Sequence, residues 1–219
     1  MTALAIAHRA GNSLAGLHQA NLLGADVIEC DVHAYQGRLE VRHLKTAGPL
    51  PFLWDRWELA SASAPRLGLA ELLEADRRSS RFMLDLKGRR VDTARAVADL
   101  LHQLGHQQEI WVCGRYWPSV EHVARLPWVR PILSARNRAE RGALERRLSA
   151  PDRPAPYGVS VHASLLDRAF VARLRSQVEM VMTWPVNDLA ALERVSASGV
   201  NGIISDEPVI LREVLRTRT

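Results

Sequence analysis

The stretch VIECDVHAY, residues 27–35, has the apolar make-up of a buried strand, yet it carries Glu29, Asp31 and His33 at every second position. Side chains two apart on a strand share a face. The two acids therefore point together, while Val27, Ile28, Cys30 and Val32 are left to serve packing. Two carboxylates on one buried face repel each other unless something neutralises them. The mouth of a parallel β-barrel is a place where a partner for them can be assembled, because residues from several strand ends meet there.

Working outward, this strand is one of eight. Short apolar segments at 3–9, 26–34, 81–87, 109–116, 129–135, 157–163, 179–186 and 201–206 alternate with stretches of helical spacing. Several segments are apolar almost throughout, as parallel strands covered on both faces should be. Among the helices, 91–105 places Ala94, Val97, Leu100 and Leu101 on one face and ends at Gly105. A second helix is expected to open at Pro118, and a third after Asn187 as N-cap. Eight strands alternating with helices predict a (β/α)8 TIM barrel, with a single domain over residues 1–219. No glycine-rich dinucleotide fingerprint follows the first strand. After strand two, YQGR (35–38) reads as a turn into a further short strand at 38–43, making a hairpin. The proline- and tryptophan-bearing stretch from Leu44 to Arg66 reads as a loop insertion, with Trp54 and Trp57 either packing it onto the barrel or forming an apolar rim.

Polar residues then collect at the strand ends. Strand one closes on His8 and Arg9, strand two on Glu29, Asp31 and His33, and the hairpin on His43. Strand three carries Asp85 and Lys87, strand four Arg115, strand six His162, strand seven Trp184 and Asn187, and strand eight Ser205 and Asp206. Glu29 and Asp31, with Asp85 as a third oxygen donor, suit a hard divalent cation, Mg²⁺ or Ca²⁺. Arg9, Lys87 and the histidines beside them point to an anionic substrate, most simply a phosphate ester. Arg115 is a candidate for a second anionic group, and His162 for the pocket wall. His33 either continues the acidic face or lies past the strand in the turn. His102, His106 and His122 fall on helices and are expected at the surface.

Composition narrows the partners. The chain of 219 residues is 47% hydrophobic and 24% charged, the balance of an ordinary globular protein. Its net charge of +5 comes from scattered arginines without interleaved aromatics, so nucleic acid is not an expected partner. No apolar run is long enough to span a bilayer, and the N-terminus lacks the pattern of a secretory signal. A cytoplasmic location is expected. The two cysteines, Cys30 and Cys113, read as buried free thiols. Nothing in the sequence addresses oligomeric state.

Five segments, in order, resemble the glycerophosphodiester phosphodiesterase family: IAHRAGN (6–12), GADVIECDVHAYQGRLEVRH (24–43), FMLDLKG (82–88), VMTWPVN (181–187) and GVNGIISDEP (199–208). The resemblance spans nearly the whole chain. It implies a (β/α)8 barrel that cleaves glycerophosphodiesters to glycerol 3-phosphate and an alcohol with a bound divalent metal. Carried over by position, Glu29, Asp31 and Asp85 resemble the metal ligands, and His8 and His43 the general acid–base pair. Arg9 and Lys87 resemble the phosphate-binding cations, and Trp184 the apolar wall beside the glycerol.

There are departures from the family pattern. Ala10 replaces a glycine, Leu44 replaces the aspartate after the second histidine, Asp85 stands for a glutamate, and the acid of the first loop is lost. The insertion after strand two is short. These changes leave two alternatives beside the leading one. One is a lysophospholipase D acting on lysophospholipids across an open mouth. The other is a catalytically degenerate barrel that binds a phosphorylated ligand.

Overall fold

The structure, a computed structural model, describes residues 3–48, 50–55, 58–76, 78 and 80–217. Its strands are β1 (Leu4–Ala7), β2 (Val27–Tyr35), β3 (Arg38–Val41), β4 (Lys45–Thr46), β5 (Phe52–Trp54), β6 (Leu59–Ser61), β7 (Phe82–Leu86), β8 (Ile110–Gly114), β9 (Val129–Ala135), β10 (Gly158–His162), β11 (Met180–Trp184) and β12 (Gly202–Ser205). Its α-helices are α1 (Leu14–Leu23), α2 (Leu69–Ala75), α3 (Asp92–Gln103), α4 (Trp117–Val123), α5 (Arg138–Leu148), α6 (Arg168–Arg175), α7 (Leu189–Ser198) and α8 (Pro208–Arg216).

Eight strands run parallel in the order β1, β2, β7, β8, β9, β10, β11, β12, and β12 pairs back onto β1 to close the barrel. The expected (β/α)8 architecture is therefore present, and all eight expected strands fall in it. Strand alternation sorts the core into two parts. Inside the barrel lie Ile6, Val27, Met83, Trp111, Cys113, Ile132, Met180, Met182 and Ile204. Between the barrel and its helices lie the alternate positions, among them Ile28, Cys30 and Val32 of β2 with Ala94, Val97 and Leu101 of α3. Val27 thus shares the inner face with Glu29 and Asp31, and Ile28, Cys30 and Val32 take the outer one.

The lower end of the barrel is closed by side chains. Trp111 and Tyr157 meet with ring centroids 5.5 Å apart. Glu109 stands between Arg81, at 3.2 Å, and Arg130, at 3.0 Å. The upper end is left for polar residues.

Helix starts follow local chemistry. Ser13, Asn137, Asp167 and Asp188 each accept a hydrogen bond from a backbone amide in the first turn of α1, α5, α6 and α7. Asn187 was the expected cap of α7, but the cap is Asp188, one residue later. Asn187 is instead occupied at the barrel mouth, described below. The α4 helix opens at Trp117, with Pro118 in its first turn.

The hairpin after β2 forms as expected. Gln36 and Gly37 both take positive φ, 48° and 76°, the turn geometry that matches the twist of a two-residue hairpin. The following insertion departs from the expectation of a plain loop. It folds into a small antiparallel sheet in the order β4, β5, β6. The signal was weak because these strands are two or three residues long, too short for alternation to register. Trp57 lies outside the described residues. Trp54 is half exposed, with the Lys45 ammonium 5.5 Å from its ring centroid.

Candidate active site

The inward positions continue past the apolar interior to the upper ends of the strands. One step beyond Ile6 on β1 comes His8, and beyond Val27 on β2 come Glu29 and Asp31. Beyond Met83 on β7 comes Asp85 and then Lys87, and beyond Met182 on β11 comes Trp184. Period-two alternation carries them all to one end of the barrel.

Asp31 and Asp85 are direct register partners across β2 and β7, with Glu29 beside Met83 one layer below. Donor atoms of Glu29, Asp31 and Asp85 all lie within 4.8 Å of one another. The Lys87 ammonium makes short contacts with both Asp31 and Asp85. Asp31 is almost fully buried, and its carboxylate also receives the Asn12 amide at 2.8 Å. The Asn12 side-chain oxygen accepts the Asp31 amide in return, also at 2.8 Å. Gly11 makes this possible, since a Cβ there would stand 2.7 Å from Cys30 Cβ and push the 3-10 turn of residues 10–12 off β2.

Electrostatics show a deficit of positive charge. Burial, then the Asp31 charge, push the Glu29 carboxyl up to about 7. Burial acts on Asp31 too, but Lys87 and Asn12 outweigh it and hold that group below the usual carboxylate range. Burial opposes the Lys87 charge, yet Asp85, Asp31 and Glu29 raise its pKa well above normal. Three carboxylates against one bridging lysine, with an all-oxygen donor set, fit a hard divalent cation.

Arg9 is the hub of the mouth. It takes left-handed backbone, φ 55°, which is uncommon for a non-glycine residue. Its amide donates to Glu29 Oε2 at 2.6 Å, its Nε lies 3.8 Å from Asp31, and its Nη2 donates to His43 Nε2 at 2.8 Å.

Each histidine has its own acid. His8 Nδ1 is 2.8 Å from Asp206 Oδ1. Burial would lower the His8 pKa, but the Asp206 hydrogen bond and the Glu29 charge raise it overall. Burial would raise Asp206, but His8 and the Asn187 amide, at 3.1 Å, hold it well below the usual range. Asn187 Oδ1 also accepts from the Asp206 amide at 3.1 Å and from Ser205 Oγ at 3.2 Å, so the chain after β11 fixes Asp206 from two sides. His43 Nδ1 is 3.0 Å from Asp55 Oδ2.

Among the residues singled out in the sequence, the structure brings His8, Arg9, Glu29, Asp31, His43, Asp85 and Lys87 into one connected group. Trp184, at the same end of the barrel, meets His162 edge-on at 5.2 Å, and His162 Nδ1 is 2.8 Å from Ser164 Oγ. Arg115 is held by Glu140, with Nε 3.1 Å from both carboxylate oxygens, so its charge is already matched. His33 is not a member of the carboxylate cluster. Burial, then the charge of Arg42, bring its pKa down to about 3, and its Nε2 is buried with no hydrogen-bond partner among the described residues. It lies within β2, in the hairpin itself, opposite Glu40 of β3.

Two residues were missed. Asp206 was seen at a strand end without a role, and its position two residues past inward-facing Ile204 was the available signal. Asp55 had none, because its approach to His43 depends on the pairing of the small sheet.

No family model and no curated protein matches the chain. Solved structures do. A glycerophosphodiester phosphodiesterase from Parabacteroides distasonis superposes with TM-score 0.71 at 20% identity, over 99% of this chain and 98% of that one. The two chains share one fold. The same enzyme from Thermotoga maritima gives TM-score 0.74 at 15% identity, with 100% of both chains covered. An Oleispira antarctica phosphodiesterase, solved with its product sn-glycerol-3-phosphate, gives TM-score 0.76 at 18% identity over 98% and 97%. Among the described residues, no helix is long and apolar enough to cross a membrane.

Proposed function

We propose that the chain is a divalent-cation-dependent glycerophosphodiester phosphodiesterase, one domain over residues 1–219, that releases glycerol 3-phosphate and an alcohol. The observation that carries this reading is the joint arrangement at one barrel mouth. Three carboxylates able to share a cation sit beside two histidines, each hydrogen-bonded to its own acid. The likeness to the Oleispira structure adds a phosphodiesterase of the same fold that binds glycerol phosphate.

Glu29, Asp31 and Asp85 would hold Mg²⁺ or Ca²⁺, which when bound supplies Lewis-acid stabilisation of phosphate oxygens. The chain's own groups divide the remaining work. His43 Nε2 carries a lone pair, engaged here by Arg9, and once the phosphate draws Arg9 away that lone pair would take a proton from the attacking hydroxyl or water as general base. His8 has a raised pKa and keeps its Nδ1 on Asp206, so Nε2 is the nitrogen turned to the leaving oxygen as general acid. Arg9 and Lys87 supply fixed positive charge where negative charge grows on the phosphoryl oxygens. Trp184 forms the apolar wall.

The acids behind both histidines speak against a degenerate barrel, since a binding site for a phosphorylated ligand does not need oriented imidazoles. A second substrate reading has its own observation. Leu50, Trp54 and Leu59 of the insertion are 51%, 44% and 70% exposed, apolar surface that would suit the acyl chain of a lysophospholipid. Turnover of glycerophosphocholine and of lysophosphatidylcholine, compared at saturating Mg²⁺ and Ca²⁺, tests both readings. Preference for the soluble diester supports the leading one. Cation binding without turnover of either removes the enzymatic reading.

A further inference from the structure

Asp55 belongs to the insertion, yet its carboxylate reaches the barrel mouth. Oδ2 lies 3.0 Å from His43 Nδ1, and Oδ1 accepts the Glu58 amide at 2.8 Å. The Asp55 amide donates to the Glu58 carbonyl at 2.9 Å. Both the backbone and the far oxygen of Asp55 are thus held by Glu58, and the remaining oxygen is aimed at the imidazole.

The small sheet explains how an acid twelve positions along arrives there. Lys45 stands opposite Trp54, and Thr46 opposite Leu53. Carried one step outward, the same antiparallel register sets Leu44 opposite Asp55, beside His43. Leu44 is itself buried and offers the imidazole no acid, and its carbonyl is taken by the Arg42 guanidinium.

The Arg9 contact shows which tautomer is present. A guanidinium has donors only, so His43 Nε2, facing Arg9 Nη2 at 2.8 Å, must accept. The ring proton is therefore on Nδ1, and Asp55 is the group that receives it. We propose that Asp55 is a positioning residue for His43, which fixes the tautomer and ring plane in which Nε2 serves as base. This rests on the reading of His43 as general base given above. Asp55 touches no substrate in this role and acts through the imidazole, as the orienting acid of a catalytic triad does. The insertion is then part of the catalytic apparatus, because its strand pairing delivers the acid.

The test uses the full chain with Mg²⁺ or Ca²⁺ and glycerophosphocholine, comparing wild type with Asp55→Asn and Asp55→Ala. Expected is a fall in kcat of roughly 10–100-fold, larger for alanine, with KM and cation affinity unchanged. A merely structural role would move melting temperature and KM instead. Imidazole ¹⁵N spectra of the wild type at alkaline pH give a readout independent of turnover. Expected is a protonated Nδ1 and a bare Nε2 on His43, with that preference lost in Asp55→Ala. A protonated Nε2 in the wild type, or unchanged kcat in the active, folded Asp55→Ala, overturns the proposal. If the wild type cleaves no diester, the reading of the reaction fails, and the ¹⁵N pattern alone decides the Asp55–His43 pairing.

Discussion

Asp31 on β2 and Asp85 on β7 are register partners, and the Lys87 ammonium bridges them. Lys87 is the nearest counter-charge of the carboxylate cluster, with Arg9 3.8 Å from Asp31 and Glu29 one layer below. A cation held by Glu29, Asp31 and Asp85 would take over that neutralising task, and Lys87 would then be available to a phosphate oxygen.

Lys87→Met should therefore be costly without metal. Breaking a buried ion pair by removing one partner costs about 3–5 kcal/mol. Added Mg²⁺ or Ca²⁺ should restore part of the loss, measured as melting temperature across a cation titration. For the wild type, a cation at one hundred times its dissociation constant should add about 2.7 kcal/mol, and Asp85→Ala should abolish that gain.

With His8 as the proposed general acid, His8 and Asp206 should set the alkaline side of activity. The His8 pKa is raised in the folded chain, and a general acid works only while protonated. Activity should fall as pH rises through that raised value. In Asp206→Asn burial acts with less opposition, so the His8 pKa drops and the alkaline limb of the kcat profile moves to lower pH. Linkage gives the same pair a stability signature. The His8 contribution is complete below the ordinary histidine value and is lost as pH climbs through the raised one. The Asp206 contribution is present above the ordinary aspartate value and is lost as pH falls through the depressed one. Urea midpoints measured across pH should show a plateau between those limits that Asp206→Asn removes.

Gly11→Ala tests the close approach that seats Asn12. The added Cβ would stand 2.7 Å from Cys30 Cβ, and overpacking of this kind costs about 1–3 kcal/mol. Because the shift displaces Asn12 from Asp31, cation affinity should weaken along with stability, which calorimetric titration can read.

Cys30 and Cys113 are fully buried, and burial first, then the neighbouring carboxylates, push both thiols well above their ordinary pKa. A thiolate is the reactive form. Neither should react with a thiol reagent in the native chain, and both should react once it is unfolded, as mass spectrometry can count.

The barrel was legible in the sequence because its strands are long and apolar enough to stand out, and because the acids of β2 break that pattern at every second position. The same alternation located His8, Glu29, Asp31, Asp85 and Lys87, since a residue's face on a strand follows from counting. Asp55 was not legible. Its contact with His43 is set by the register of β4 and β5, strands of two and three residues, and such a register is a tertiary outcome. Asn187 misled for a related reason. It has the chemistry of a helix cap, but Asp188 has it too, and only the folded mouth shows that Asn187 is needed by Asp206.

The most direct measurement is release of glycerol 3-phosphate from a glycerophosphodiester by the wild type, by the chelated wild type, and by His8→Ala and His43→Ala. Turnover should require Mg²⁺ or Ca²⁺ and should fall by roughly 10²–10⁴-fold in each histidine variant, with melting temperature and cation affinity retained. Undiminished turnover in both variants, or none in the cation-loaded wild type, would contradict metal-dependent acid–base cleavage at this mouth.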